Sequence, residues 1–430
     1  MADKEKKRFG RSRLAVPKTM TPDWFGWLGV LTMALLTVVR IEPSETPWFF
    51  PLLSLGEWLL MPLGAASLTM GLLALRPQHE KGVLPLWIAA VIPAAVWLAV
   101  VGIAILRNQA LPTEGDMLLA WTVQLIFPTM AFLPLLAQRM WRNRLMWALL
   151  AGVLANIVLI IYQSAGGGGD NAGGFLAHRY DYGLLLGVSL PLLSAWRGGE
   201  IRKNRALIIM FCTFLLPAMA LGTCNTVSGM AAAAAGLTVS WAAWRSPGWI
   251  MGIFLVLIVF GYGSQARTAQ DEGKRARLAA TAAVNSDDYE RAFSVFVHAP
   301  FFGDGPGSFL AEDLDGYHAT TSRILEPTPW YANLLGGAGI AGIGLWLVLL
   351  AEIAARALGR SGNRSLWAGG ALGATAALAV SGLWTGGLPE GVGALVGLLL
   401  AISILPESDE DPAPRRAARR RKRENTGKTA

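Results

Sequence analysis

Apolar runs of membrane-spanning length recur along almost the whole chain, and they constrain it more than any other feature. They lie at about Trp24 to Val39, Glu57 to Leu75, Leu84 to Leu106, Met117 to Ala137 and Leu145 to Gln163. After a glycine-rich break come Tyr182 to Trp196, Ala206 to Gly222, Val227 to Trp244 and a shorter run, Trp249 to Tyr262. Three more close the series: Trp330 to Ala355, Leu366 to Trp384 and Gly391 to Leu405. A helix of about 20 apolar residues crosses the hydrocarbon core of a bilayer. The expected fold is therefore all-α, a polytopic membrane protein of about 12 transmembrane helices.

Composition agrees. A soluble chain of 430 residues would form two or three domains, but 53% hydrophobic residues against 15% charged make lipid the solvent for most of this one. The net charge of +8 does not point to nucleic acid. Its positive residues sit in the tails and short links, where anionic membrane lipids are the nearer partner and no nucleic-acid site is expected.

Those links also set an orientation. The N-terminal tail (Lys4, Lys6, Lys7, Arg8, Arg11, Arg13), Arg76/Lys81, Arg139/Arg142/Arg144, Arg197/Arg202/Lys203/Arg205, Arg245, Arg356/Arg360/Arg364 and Arg415 to Arg423 alternate with acidic, neutral or long links. Basic links stay on the cytoplasmic side, so both termini are expected inside a bacterial inner membrane crossed many times. An even number of helices closes this count. The N-terminal basic residues precede an apolar run with no small-residue cleavage site, as in an uncleaved start-transfer helix.

The organisation that follows is a basic cytoplasmic tail at 1–23, nine helices over 24–262, a large periplasmic loop at 263–329, three helices over 330–405, and a basic C-terminal tail at 406–430. That last tail, rich in Pro, Ala, Arg and Lys, has too little apolar surface to fold. Small-residue runs at Gly229 to Gly236 and Gly369 to Gly373 are expected to let helices approach closely.

Chemistry is expected outside the membrane, because no charged residue falls near the middle of a predicted span; Glu57 and the Glu352/Arg356 pair lie near edges. No internal repeat of broken helices, as in ion-coupled transporters, is evident. In the long loop, Asp287 to Pro300 reads as a helix with Tyr289, Phe293, Phe296 and Val297 on one face and Asp287, Arg291, Ser294 and His298 on the other. The second face is either a site or a solvated surface. Phe301-Phe-Gly-Asp-Gly-Pro-Gly-Ser-Phe309 is a tight turn that lacks the lysine and strand of a nucleotide loop; its amides either help hold a phosphate or simply reverse the chain.

His318, Arg323 and Glu326 follow, and then Trp330-Tyr331 at the re-entry to the membrane. Histidine and glutamate each offer a base. Near the glycine-rich break, His178 and Arg179 stand at the mouth of a helix, and a guanidinium there suits a pyrophosphate. The two cysteines, Cys212 and Cys224, are too far apart along a helix to bond, and the four histidines match no metal spacing. No metal and no cofactor are expected.

Taken in order, Arg291, His298-Ala-Pro-Phe-Phe-Gly-Asp-Gly-Pro-Gly-Ser-Phe309 and Trp330-Tyr-Ala-Asn-Leu-Leu-Gly-Gly-Ala-Gly-Ile-Ala-Gly342 resemble the O-antigen ligase and O-antigen polymerase family. Gly173-Gly-Phe-Leu-Ala-His-Arg179-Tyr-Asp-Tyr-Gly183 and Ser228-Gly229 resemble two further family segments, so the likeness covers about Gly173 to Gly342. It implies a helical membrane glycosyltransferase that moves a glycan from undecaprenyl pyrophosphate to a hydroxyl of an acceptor glycan or glycolipid, at the periplasmic face and without metal.

The resemblance implies that Arg291 and Arg179 hold the pyrophosphate; His178, Arg323, His298 and Tyr331, from their own place in the outer segments, are expected around the substrate. The chain departs from the pattern at one place. Aligned through Tyr331 and Gly339, the family histidine falls on Thr328 and its asparagine on Pro329, neither of which is an ordinary base. His318 or Glu326 would then take that role, or the chain is a non-enzymatic transporter or carrier on the same fold.

Overall fold

A computed structural model describes residues 22–38, 55–74, 83–107, 112–165, 179–197, 227–244, 286–305, 329–361, 366–383 and 392–404. Among them every regular element is a helix. In chain order these are α1 (Asp23–Val38), α2 (Leu55–Ala74), α3 (Val83–Arg107), α4 (Pro112–Leu136), α5 (Arg139–Ala165), α6 (Arg179–Arg197), α7 (Val227–Trp244), α8 (286–298), α9 (Trp330–Ser361), α10 (Leu366–Ser381) and α11 (Val392–Ile404). All except α8 coincide with expected apolar runs. The expected runs at Ala206 to Gly222 and Trp249 to Tyr262 lie outside the described residues. Among the described residues three stretches, Leu118–Leu136, Arg139–Gln163 and Trp330–Leu358, are long and apolar enough to cross a membrane.

Small residues bring α6, α7 and α10 together, as the sequence leads one to expect. A Cβ on Gly236 of α7 would stand 2.8 Å from the Gly373 carbonyl oxygen of α10 and 2.8 Å from the Pro191 ring of α6. A Cβ on Gly187 of α6 would stand 2.9 Å from that of Ala232. Without a hydrophobic drive between helices in lipid, such close backbone packing is what holds spans together.

Proline is accommodated by a neighbouring helix. Pro134 in α4 has no N–H for the carbonyl four residues back, that of Met130, and the Ser67 hydroxyl of α2 donates to this oxygen at 2.7 Å. One side chain thus replaces the bond proline removes.

Aromatic and basic residues mark one end of the bundle. Arg144 at the start of α5 lies over the rings of Trp27 (4.5 Å) and Trp141 (4.6 Å), and Arg142 lies over Trp367 at the start of α10 (5.1 Å). The Trp196 indole at the end of α6 donates to the Asn143 side chain at 3.1 Å. The starts of α1, α5 and α10 and the end of α6 therefore share one end. The start of α9 meets the opposite one: the Tyr331 N–H donates to the Gly382 carbonyl, just past α10, at 3.2 Å.

The expected straight run at Trp330 is instead broken. Gly339 adopts φ 61 and ψ −160, so α9 has two limbs, one before it and one after. The bend is sharp. Sixteen residues of straight helix would separate Trp330 from Trp346 by about 24 Å, yet their ring centroids are 5.4 Å apart. Trp97 of α3 and Trp121 of α4 complete the cluster in the elbow, at 5.3 Å from Trp346 and 5.3 Å from Trp330 respectively. The Trp97 indole also donates to the Gly342 carbonyl at 3.1 Å.

Candidate functional site

The break in α9 frees backbone groups, and the turn after α8 takes them. Asp304 and Gly305 N–H donate to the Gly336 and Gly337 carbonyls at 3.0 and 2.9 Å. In the reverse direction Ile340 and Ala341 N–H donate to the Pro300 and Phe301 carbonyls at 2.9 and 3.2 Å. The two segments that carry the sequence resemblance are thus partners in space, joined by four main-chain bonds. Glycine is required on both sides: Gly303 (φ 62) lies against the Gly336 carbonyl, and a Cβ on Gly339 would stand 2.6 Å from the Phe301 carbonyl carbon.

The amides of Gly303, Asp304 and Gly305 all bond to protein carbonyls, Gly303 to Ala299 at 2.9 Å. This part of the turn closes the broken helix, and its remainder, 306–309, lies outside the described residues.

α8 rides on the first limb of α9. Ala292 is fully buried against Ala332, flanked by Tyr289 and Val295, and the Tyr289 hydroxyl donates to the Leu383 carbonyl at 3.1 Å. Burial of Tyr289 raises its phenol above the ordinary value of 10.0. The expected apolar face is therefore rearranged: Asp288 and Ala292 are buried, Tyr289 and Phe296 are half-buried, and Phe293 and Val297 are exposed. Only small side chains allow the helix to approach the glycine- and alanine-rich limb, so the large ones turn away.

The polar face stands as expected. Asp287, Ser294 and His298 are exposed and Arg291 is half-buried. The Ser294 hydroxyl donates to the Arg291 carbonyl at 2.8 Å, and His298 Nδ1 lies 2.8 Å from the Ser294 carbonyl. A carbonyl only accepts, so Nδ1 is the donor in this contact. The contact fixes the orientation of the ring and gives His298 a structural role within α8. The sequence alone places it beside the substrate without this role, and the signal that points to it is its four-residue spacing from Ser294.

Tyr331 is used differently from the expectation. Its hydroxyl donates to the Ala379 carbonyl at 2.7 Å and its ring covers Gly382, so it fixes α9 to α10 and its proton is not free for a substrate. Arg179 is the first residue of α6. His178, His318, Arg323 and Glu326 lie outside the described residues. No group of three or more metal-ligating side chains is found among the described residues. No protein-family model and no curated protein matches this sequence.

Proposed function

We propose that this chain is a polytopic inner-membrane glycosyltransferase of the O-antigen ligase or polymerase type, with about 12 spans and both termini in the cytoplasm. The gathering of Arg142 and Arg144 with the ends of α1, α6 and α10 supports the orientation, since all of these ends adjoin the basic links. The observation that carries the reading is the pairing of Pro300–Gly305 with Gly336–Ala341. Two weak motifs far apart in sequence become one structural unit, which holds Arg291 and His298 rigidly at the end of the bundle away from those basic links.

In this mechanism a hydroxyl oxygen of the acceptor attacks the anomeric carbon of the donor sugar. The bond from that carbon to the pyrophosphate oxygen breaks, and undecaprenyl pyrophosphate leaves. Arg291 and Arg179 neutralise the charge that grows on the leaving group, which is the larger contribution. His318 or Glu326 takes the hydroxyl proton, and His298, its ring oriented by the Ser294 carbonyl, is a third candidate for that role.

A second reading, a transporter or carrier, is favoured by the broken helix itself. In such proteins the freed carbonyls coordinate the cargo. Here those of Gly336 and Gly337 are taken by Asp304 and Gly305, which weighs toward the enzyme.

The test compares surface polysaccharide in cells lacking the protein with cells making wild type or Arg291→Ala at equal membrane abundance. Loss of polymer attachment or length in both the deletion and the variant is the expected result. Unchanged glycans on deletion would overturn the enzyme reading.

A further inference from the structure

One helical face of α9's second limb is exposed and wholly apolar: Ile340, Leu347, Val348, Ala351, Ala355 and Leu358. From Ile340 to Leu358 it runs about 27 Å, close to the roughly 30 Å of a bilayer core. Ile340 therefore stands at one border of the hydrocarbon. The main-chain bonds from Ile340 and Ala341 to Pro300 and Phe301 put the turn after α8 at that same level.

α8 itself has three faces. Tyr289, Ala292 and Val295 turn toward α9; Asp287, Glu290, Ser294 and His298 are polar and exposed; and Phe293 (59%) and Val297 (61%), with Phe301 (68%) in the turn that follows, form an exposed apolar strip bordered by Glu290. Phe301 lies beside Ile340, itself 54% exposed, so the strip continues the apolar face of α9 around the corner of the turn. A helix with one protein-facing side, one polar side and one apolar side suits a membrane interface, where the apolar side sinks below the headgroups.

We propose that α8 is an interfacial helix whose Phe293, Val297 and Phe301 strip is seated in the acyl chains of the outer leaflet. The polar face then lies at headgroup level, and Arg291 and His298 meet phosphate-bearing lipid there without any movement of the loop. The inference rests on α9 spanning the membrane and does not require glycosyl transfer.

The test places one fluorescent thiol label at a time on the full chain with Cys212→Ser and Cys224→Ser. The sites are Phe293→Cys, Val297→Cys, Ser294→Cys and, on α9, Leu347→Cys, each reconstituted in phosphatidylethanolamine/phosphatidylglycerol vesicles. Nitroxide-bearing lipids are the hydrocarbon quencher and iodide is the aqueous one. The proposal expects labels at 293 and 297 to lose fluorescence to nitroxide set near the headgroup and to resist iodide, with Ser294→Cys reversed. Leu347→Cys should be quenched by nitroxide deep in the chain.

If Leu347→Cys is quenched by lipid but Val297→Cys only by iodide, the strip faces water and the proposal alone falls. If neither quencher reaches 293 and 297, another part of the chain or a second copy covers the strip, and the proposal falls likewise. If Leu347→Cys is itself untouched by lipid nitroxide, α9 does not face hydrocarbon and the membrane assignment fails with it.

Discussion

Phe301 and Gly339 stand back to back: the Phe301 carbonyl accepts the Ala341 N–H at 3.2 Å, while a Cβ on Gly339 would lie 2.7 Å from that same oxygen. The contact lets the glycine-rich stretch of α9 bend while four of the main-chain groups around the break find partners in the turn after α8. It also makes Gly339 and Gly344 an informative pair, since one sits in the elbow and the other in regular helix.

Gly339→Ala should lower stability by at least about 2 kcal/mol, because an L residue at positive φ is strained and its methyl meets main chain that cannot move alone. A Cβ on Gly344 would meet nothing within 4 Å. Gly344→Ala should therefore be neutral or stabilise by up to about 1 kcal/mol through helix propensity. Thermal unfolding of both variants in detergent decides this. Equal melting shifts would mean that the elbow is not part of the folded core.

Ser67→Ala removes the hydroxyl that replaces the bond missing at Pro134, leaving the half-buried Met130 carbonyl without that partner. The expected cost is about 1–3 kcal/mol. In a Pro134→Ala background the α4 amide serves Met130 itself, so Ser67→Ala should cost clearly less there. A double-mutant cycle measures the difference. Additive losses would show that serine and proline are not coupled.

Tyr289 gives a pH dependence of known sign. Burial holds its phenol above 10.0, so the folded state disfavours the phenolate that the unfolded chain forms readily. Its contribution is complete below that value and is lost as pH rises through the higher folded one. The neutral hydroxyl is also the form that donates to Leu383. Proteolysis at α8 should therefore accelerate on the alkaline side of 10.0, and Tyr289→Phe should flatten that part of the profile. An unchanged alkaline limb in the variant would assign the effect to other groups.

The helices were legible because apolar length is a property of the local sequence, and α1 through α7 and α9 through α11 coincide with apolar runs. The elbow was not. Gly336 to Gly342 reads equally as a close-packing face, and the positive φ of Gly339 is set by Phe301, a partner distant in sequence. The orientation of α8 was half legible: its polar face follows from spacing alone. Which other face is buried depends on the surface it meets, and that surface admits Ala292 where size alone would have chosen Phe293. The pairing of the turn was hidden for a related reason, since sequence reveals its amides but not the Gly336 and Gly337 carbonyls that take those of Asp304 and Gly305.

The base is the point on which sequence and structure divide the work. Thr328 stands where the resemblance puts a histidine, and His318, Glu326 and His298 are the groups that can replace it. If His298 is the base, His298→Ala should lower transfer by about 10²–10⁴-fold while His318→Ala leaves it near wild type. His318→Ala with that loss, and His298→Ala near wild type, would assign the base to His318, and His298 would keep a binding role. Arg291→Ala is expected to abolish transfer in either case, whereas Arg291→Lys should retain part of it, since an ammonium supplies charge but not the paired grip of a guanidinium. Glycan length and attachment, read at matched membrane abundance for all four variants, separate these outcomes.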